Sequence, residues 1–285
     1  MAVETEQREA GGSSALDERE RREVEELSPP RAVVVFETIR REGGNELDRP
    51  FISLFASGVA AGSSMGFSLC ALGLLRSMLP DAPWRPLVES LGYTVGFIVV
   101  IMGRQQLFTE NTLTVVLPLL DGRDKLPLAA GVARVWAVVL CANLIGAGAF
   151  AWFAAHGGAF SEAARSAFLA IGNQAASLPP ASLFVRGVVA GWLIALMVWM
   201  SPAAESTRPL IVALVTYVVG IAGFSHVIAG SVEVLYTVAA GERTLAAFVW
   251  PYALPVLAGN VIGGVTLVAL LNYAQVMAEK RPAAS

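Results

Sequence analysis

The stretch Gly220-Ile221-Ala222-Gly223-Phe224-Ser225-His226-Val227-Ile228-Ala229-Gly230-Ser231 lies at the middle of the long apolar segment 209–238. Its glycines surround His226, one of the two histidines in the chain. Glycine lets the backbone leave the helical conformation without steric penalty, and non-helical backbone at membrane depth must face protein or a water-filled cavity. The stretch therefore predicts a membrane-spanning helix that breaks near the midplane, with free N–H groups that suit an anion.

A second interruption, Gly103-Arg104-Gln105-Gln106-Leu107-Phe108-Thr109-Glu110-Asn111-Thr112, lies within the apolar segment 88–118. It contains amides, hydroxyls and two charged groups, each of which would cost on the order of several kcal/mol in hydrocarbon. We therefore predict a second broken helix, which faces protein or an aqueous cavity.

Short motifs recur in the same order in the two halves of the chain. Gly58-Val59-Ala60-Ala61-Gly62, Phe108-Thr109 and Asn143-Leu144-Ile145-Gly146 in the first half match Gly187-Val188-Val189-Ala190-Gly191, Phe224-Ser225 and Asn260-Val261-Ile262-Gly263 in the second. An internal repeat in a strongly apolar chain is typical of transporters and channels built by duplication. The glycines spaced four residues apart predict closely packed helices. Asn143 and Asn260 each need a polar partner inside a membrane, so they bond across helices or line the solute path.

The composition is that of a membrane protein with a polar N-terminal region. Hydrophobic residues make up 55% of the chain and charged residues 15%, whereas soluble domains average about 25% charged residues. The mean hydropathy is +0.61, and 13 of the 23 acidic residues lie within residues 1–50. Apolar segments long enough to span a bilayer, roughly 20 residues, lie near 51–77, 88–118, 131–154, 183–202, 209–238 and 247–275.

We predict an all-α integral membrane protein with six transmembrane helices in two inverted three-helix repeats, the second and fifth helices being broken at the midplane. Because three spans is an odd number, the second repeat enters the membrane from the opposite side. The excess of basic residues marks the cytoplasmic side. That side takes the arginines of residues 1–50 with Arg123, Lys125, Arg134, Arg208, Lys280 and Arg281, and the other side takes Arg76, Arg85, Arg165 and Arg243. Both termini are thus predicted to be cytoplasmic, in a bacterial inner membrane.

Four regions follow from this pattern. Residues 1–30 are predicted to be a disordered cytoplasmic tail because their hydrophobicity is low. Residues 31–48 form an amphipathic helix on the membrane surface or a solvated linker helix. Residues 49–278 form the six-helix channel domain, and residues 279–285 are a cytoplasmic C-terminal tail. Residues 1–30 lack the apolar core of a signal peptide, so we expect the first span to direct membrane insertion.

The interruptions, with motifs in the fourth and sixth spans, resemble the formate/nitrite transporter family. The motifs are Leu107-Phe108-Thr109 with Asn111, Gly223-Phe224-Ser225-His226, Val198-Trp199-Met200 and Gly259-Asn260-Val261-Ile262-Gly263-Gly264, and the resemblance covers residues 31–276. It implies a pentamer of aquaporin-like protomers, each with its own pore for a small monovalent anion such as formate, nitrite or hydrosulfide, or for the conjugate acid. It also implies apolar constrictions at Leu107 and Phe108. The following Thr109 would then hydrogen-bond the central His226.

The chain departs from the family pattern at several positions. No lysine lies between Lys125 and Lys280, although members commonly have one near the start of the fourth span; a neutral residue near Ala175 stands there. Acidic residues are common where this chain has Gln106 and Ser225, and asparagine where it has Gly191. An aromatic gate is common at Val219, and a small residue at Glu110. These differences indicate a divergent member and leave its substrate open.

His226 has two possible roles, because an ionisable side chain in a membrane core is a functional candidate by default. Histidine changes its charge near neutral pH, so His226 either donates a proton to the permeant anion or binds the anion. Thr109 is expected to orient the imidazole ring.

Aligning the two interruptions on Phe108 and Phe224 places Glu110 opposite His226. This alignment predicts that Glu110 and His226 approach each other across the pore, unless Glu110 pairs with Arg104 or with a neighbouring protomer. Glu233 likewise either faces the pore or forms a pair away from it. The predicted pore and substrate residues are His226, Thr109, Leu107, Phe108, Asn260, Glu110, Val219 and Phe224.

The leading prediction is a channel or transporter for a small weak acid or its anion, with the bilayer as its other partner and no nucleic acid. The alternatives are an aquaporin-like channel for neutral solutes and a non-transporting membrane sensor or scaffold. We expect no enzymatic activity, no cofactor and no metal, because no nucleophile–base pair or metal-ligand spacing is visible and Gly259–Gly264 lies inside a span. Cys70 and Cys141 lie within apolar spans and are predicted to be buried and inert.

Overall fold

A computed structural model describes residues 17–28, 30–204 and 206–280 of the chain. These residues contain helices and no strands, which confirms the prediction of an all-α protein for this part of the chain. Residues 1–16 of the predicted N-terminal tail and residues 281–285 of the predicted C-terminal tail lie outside the described residues. Within the tail that we predicted to be disordered, the structure instead has a helix over Glu18–Leu27.

The helices follow one another along the chain with short connections. They are α1 (Glu18–Leu27), α2 (Ala32–Asp48), α3 (Phe51–Met78), α4 (Arg85–Met102), α5 (Phe108–Asn111), α6 (Val116–Asp121), α7 (Lys125–His156), α8 (Glu162–Ala176), α9 (Pro180–Met200), α10 (Arg208–Ile221), α11 (Val227–Ala239), α12 (Leu245–Ala247), α13 (Leu254–Gly264) and α14 (Leu271–Lys280). A 3-10 turn, Ser201–Ala203, follows α9. The segment Phe248–Ala253 connects α12 to α13 and is kinked at Trp250, whose backbone is extended, and the π-helical segment Val265–Leu270 connects α13 to α14.

Five helical segments of the described residues are long and apolar enough to cross a membrane: Phe51–Met78, Arg85–Met102, Lys125–His156, Pro180–Ala203 and Leu245–Glu279. Each coincides with a predicted span, although the second stops before the end of the predicted segment 88–118. The predicted fifth span, 209–238, is occupied by α10 and α11, which are shorter apolar helices.

Glycines bring the long helices into backbone contact, as the spacing of four residues predicts. Helix α3 packs along α7, and α9 packs along α13. A Cβ atom on Gly62 would overlap the backbone carbonyl of Asn143, and one on Gly191 would overlap that of Asn260. Only a residue without a side chain permits this approach, so the repeated glycines determine how closely the two helix pairs pack.

Helix α2 belongs to the body of the protein. Its side chains Phe36 and Ile39 are fully buried, and the ring of Phe36 lies 5.9 Å from that of Tyr273 on α14. The predicted helix is therefore present, with one face in the core. On its outer side Glu37 accepts hydrogen bonds from Arg40 and Arg41, and these contacts lower the pKa of Glu37 to about 2.

Helix α8 lies in a region where the sequence predicted no span. Ser161 caps it by accepting a hydrogen bond from the backbone of Ala164, and Phe168 packs edge-on against Tyr236 of α11 at 5.5 Å. The sequence did not predict this helix as a span, because α8 is short and is polar at its start, with Glu162 in its first turn.

The two cysteines do not share one environment. Cys70 is half-buried on α3, whereas Cys141 is exposed on the surface of α7. The prediction that both are buried is therefore wrong for Cys141 in this protomer.

Candidate functional site

Two short non-helical segments, residues 103–107 and 222–226, separate α4 from α5 and α10 from α11. Arg104 and Gly223 both have left-handed backbone conformations, with φ of 49° and 63°. Leu107 and His226, the residues before α5 and α11, are extended, with φ/ψ of −101°/129° and −102°/126°. The backbones of the two segments thus have matching conformations. Arg104 is the only non-glycine residue of the described chain with a positive φ.

Asn143 on α7 supports the first segment. Its Oδ1 accepts a hydrogen bond from the backbone N–H of Phe108 at 2.9 Å. Its Nδ2 donates to the carbonyls of Gly58 and Gln106, each at 2.8 Å. The amide therefore satisfies backbone groups that the interrupted helix leaves unpaired.

Asn260 on α13 supports the second segment in the same way. Its Oδ1 accepts from the backbone N–H of Val227 at 2.8 Å. Its Nδ2 donates to the carbonyls of Gly187 at 2.8 Å and Ser225 at 2.9 Å. Asn260 was predicted to bond across helices or to line the path; its amide bonds across helices, and the residue does not line either of the cavities described below.

These hydrogen bonds correct the register in which the interruptions were compared. Phe108 and Val227 make the equivalent bond, so Leu107 is the counterpart of His226. The alignment on Phe108 and Phe224 was displaced by three residues, because it matched similar side chains rather than equivalent backbone positions. The counterpart of Glu110 is therefore Ala229. The corrected alignment no longer gives a reason to place Glu110 opposite His226.

His226 is buried at the start of α11, and both ring nitrogens have partners. Its Nδ1 accepts a hydrogen bond from the backbone N–H of Ala229 at 3.2 Å. Because an accepting nitrogen carries no proton, the proton of the neutral ring is on Nε2, which lies 2.8 Å from Oγ1 of Thr109. The geometry assigns Nε2–H as donor and the fully buried Thr109 as acceptor.

Apolar side chains enclose the Thr109–His226 pair. The ring of Phe97 on α4 lies edge-on to the imidazole, with 4.9 Å between ring centroids, and Phe97 and Leu107 are fully buried. Phe108 packs against Trp136 of α7 at 5.9 Å, so its ring faces α7. Sequence reasoning missed Phe97, because it is an apolar residue in an apolar span and carries no distinguishing signal.

A polar cavity of about 400 Å³ lies at one end of this enclosed region. We call it the Glu110 cavity. It is lined by Glu42, Asn45, Glu46, Arg49, Ile101, Arg104, Gln105, Gln106, Glu110, Asn111, Thr114, Val198, Ser201, Pro202 and Arg208.

A second cavity, of about 550 Å³, reaches His226. We call it the Glu233 cavity. Val219 and Phe224 line it, as do Arg76, Arg85, Glu89, Tyr93, Arg186, Glu233 and Tyr252. Of the eight predicted pore residues, His226, Val219 and Phe224 therefore border this cavity and Glu110 borders the first one. Leu107, Phe108, Thr109 and Asn260 border neither.

The cavities lie at opposite ends of the same helices. Helix α4 contributes Glu89 and Tyr93 from its first half to the Glu233 cavity, and Ile101 from its end to the Glu110 cavity. Helix α9 likewise contributes Arg186 to one and Val198 to the other. Glu110 and His226 thus face different cavities, and the described residues contain no group of histidine, cysteine and acidic side chains that would hold a metal ion.

Comparison with known proteins gives a family and a fold. Residues 33–274 match the family model described as formate/nitrite transporter. The chain is 42% identical to the inner membrane protein YfdC of Escherichia coli (strain K12) over 99% of this chain and 90% of that protein. With the apolar helices, these likenesses establish a multi-pass membrane protein.

Two solved structures share the fold. One, an FNT family ion channel, has a TM-score of 0.73 at 21% identity and covers 85% of this chain and 98% of its own. The other, a pentameric formate channel with formate bound, has a TM-score of 0.69 at 20% identity and covers 80% of this chain and 98% of its own.

Proposed function

The chain belongs to the formate/nitrite transporter family, and we propose that it is a membrane channel or transporter for a small monovalent weak acid or its anion, formate or nitrite being the first to test. The observation that carries the proposal is the Thr109–His226 pair, which lies in an apolar enclosure between two polar cavities.

The proposed architecture has six spans in two inverted three-helix repeats. In it, α4 to α6 form one broken span, and α10 with α11 form the other. The matched conformations of Leu107 and His226 and the matched contacts of Asn143 and Asn260 support this repeat.

The proposed assembly is a pentamer with a pore in each protomer. The similarity to a pentameric channel supports this assembly. Large apolar side chains on the outer faces of the long helices, such as Leu91, Trp152 and Leu214, suit contact with lipid or with neighbouring protomers. We also propose that both termini are cytoplasmic, since the basic residues lie mainly on that side of the predicted spans.

The proposed barrier to a bare anion is the apolar enclosure around Phe97 and Leu107. An unpaired charge pays a large desolvation penalty there, whereas the neutral conjugate acid pays much less. Nε2–H of His226 is donated to Thr109, which orients the ring, and a solute that binds His226 would take the place of the Thr109 oxygen as acceptor. Donating a proton would require His226 to take one at Nδ1 first, which would break its bond to Ala229. The contacts therefore favour an anion- or acid-binding role over a proton-donating one.

A channel for neutral solutes is the second candidate. A carboxylate lines each cavity, Glu110 in one and Glu233 in the other, and an ionised carboxylate repels anions. A sensor or scaffold role for the N-terminal tail is tested separately: if a chain without residues 1–30 keeps full transport, that role is disfavoured.

Flux into liposomes that contain the purified protein tests the proposal. Formate, nitrite and glycerol are supplied at pH 5.5 and 7.5, beside protein-free liposomes. Uptake of formate or nitrite above the protein-free rate, and faster at the lower pH, supports the proposal. Uptake of glycerol alone favours the second candidate, and uptake of none overturns both.

A further inference from the structure

A carboxylate with no chemical role in the scheme above lies on the same helix as His226. Glu233 is seven residues beyond His226 on α11, and both border the Glu233 cavity. Since a helix turns once in about 3.6 residues and rises about 1.5 Å per residue, the two lie on one face of α11 about 10 Å apart. A solute in this cavity therefore passes Glu233 on its way to His226.

Two tyrosines complete a polar cluster around Glu233. Tyr93 and Tyr252, which are 6% and 2% exposed, border the same cavity, and each interacts electrostatically with Glu233. A Cβ atom on Gly230 would overlap the Tyr252 hydroxyl, so the glycine makes room for this phenol one turn before Glu233.

The polar atoms of this cluster have no partners within the described part of the chain. Neither phenol makes a hydrogen bond there, and the Glu233 carboxyl makes neither a hydrogen bond nor an ion pair. Buried polar groups are nearly always satisfied by protein, water or ligand. None of these atoms is among the fully enclosed unpaired atoms of the described residues, so all three groups are accessible to water or solute in the cavity.

Three arginines border the cavity together with this cluster. Arg76 forms a two-point ion pair with Glu89, at 2.6 and 3.0 Å, and Arg85 pairs with Asp81 at 3.1 Å. Arg186 donates to the carbonyl of Gly223 at 2.9 Å, so its charge is not neutralised by a described carboxylate. The charged and titratable groups that border the cavity with Glu233 are Arg76, Arg85, Glu89, Tyr93, Arg186, His226 and Tyr252.

We propose that Glu233, held with Tyr93 and Tyr252, exchanges a proton with the permeant weak acid before the solute reaches His226. This inference rests on the proposed function. The Arg186 guanidinium attracts the anion into the cavity, and the carboxylic acid of Glu233 gives its proton to an oxygen of that anion. The O–H bond of Glu233 breaks, an O–H bond of the solute forms, and Glu233 becomes a carboxylate that takes a new proton from cavity water.

The two phenols can donate hydrogen bonds both before and after the proton transfer. The phenols donate hydrogen bonds to the Glu233 carboxylate after the transfer, or to the solute oxygens before it. The neutral acid then enters the apolar enclosure around Phe97 and Leu107, which a bare anion would not cross. His226, whose proton is on Nε2 and whose Nδ1 bonds Ala229, does not have to supply that proton.

The test compares Glu233→Gln with the parent in liposomes that contain a pH-sensitive dye, with formate outside at pH values from 5 to 8. Glutamine keeps the shape of the side chain and removes the exchangeable carboxyl proton. We expect flux to fall about tenfold or more and its dependence on pH to flatten, since a positioned acid typically contributes at least that much. Glu162→Gln, on the exposed start of α8, is the matched control and should behave as the parent.

Two further variants separate proton exchange from a structural role. Glu233→Asp keeps a carboxyl group and should regain a pH-dependent rate, and Tyr252→Phe should lower the rate while keeping the pH dependence. If the parent transports formate and Glu233→Gln keeps its rate and pH profile within about twofold, the inference is wrong and the proposed function stands. If the parent does not transport, the proposed function itself has failed. If Glu233→Gln does not assemble, the pH profile of Glu233→Asp decides the question. A Glu233→Asp protein that transports at the parent rate with no pH dependence would overturn the inference.

Discussion

Oγ1 of Thr109 lies 2.8 Å from Nε2 of His226, and this bond joins the short helix after the first interruption to the helix after the second. The two residues are far apart in sequence, and both are almost completely buried. Because Nδ1 of the ring accepts from Ala229, the bond runs from Nε2–H to the threonine oxygen. Thr109 thereby fixes which edge of the imidazole faces the solute path.

Replacing either member of this pair should reduce transport. His226→Phe removes the Nε2–H donor while keeping a ring of similar size, so we expect formate flux in liposomes to fall to the protein-free rate. Thr109→Val removes the acceptor of a bond worth about 0.5–1.5 kcal/mol and should lower flux by about threefold to tenfold. His156→Phe, at the exposed end of α7, is the control. Parent-like flux in His226→Phe would contradict the assigned role.

Asn260→Leu should destabilise the protein strongly. The amide satisfies one backbone N–H and two carbonyls at the second interruption, and each buried group left unpaired costs about 1–3 kcal/mol. The thermal unfolding midpoint in detergent should fall by roughly 5 °C or more. Asn173→Leu, whose half-buried side chain bonds to Glu242 and Arg243 among the described residues, should change the midpoint little. Equal midpoints for the two variants would exclude a bracing role for Asn260.

Gly191→Ala should separate α9 from α13. The added methyl would overlap the backbone carbonyl of Asn260, which cannot move without breaking the brace at the second interruption. We expect a loss of about 1–3 kcal/mol, as for other overpacked sites, and a lower unfolding midpoint. Gly44→Ala on α2 has open space around the added methyl and should be neutral or slightly stabilising. The prediction fails if both variants unfold at the same temperature.

Acid should weaken helix α2 through Glu37, whose arginine partners lie one turn later on the same helix. Its arginine partners lower its pKa from 4.5 to about 2, so its contribution to stability is present above pH 4.5 and is lost as pH falls from 4.5 toward 2. Glu37→Gln should therefore lower the unfolding midpoint slightly at pH 7 and have less effect at pH 3. Because the pair is partly exposed, high salt should shrink the difference. A difference that grows at pH 3 would reverse the expected sign.

The helices of the membrane domain could be placed from the sequence because hydrophobicity along the chain carries that information. The apolar segments coincide with the long helices, and polar residues inside 88–118 and 209–238 located the two interruptions. Helix α8 did not follow from the same pattern. It is too short, and too polar at its start, to be recognised as a span, and Phe168 packs it against Tyr236 of α11.

The repeated motifs by themselves predicted that the two halves are related and drew attention to Thr109, Asn143 and Asn260, while His226 was selected as an ionisable residue inside an apolar segment. The register between the halves needed the structure, because it is defined by backbone hydrogen bonds rather than by similar side chains. Those bonds pair Leu107 with His226 and place Glu110 and Glu233 in separate cavities. Which side chains share a cavity depends on how helices distant in sequence pack together, and a one-dimensional pattern does not contain that information.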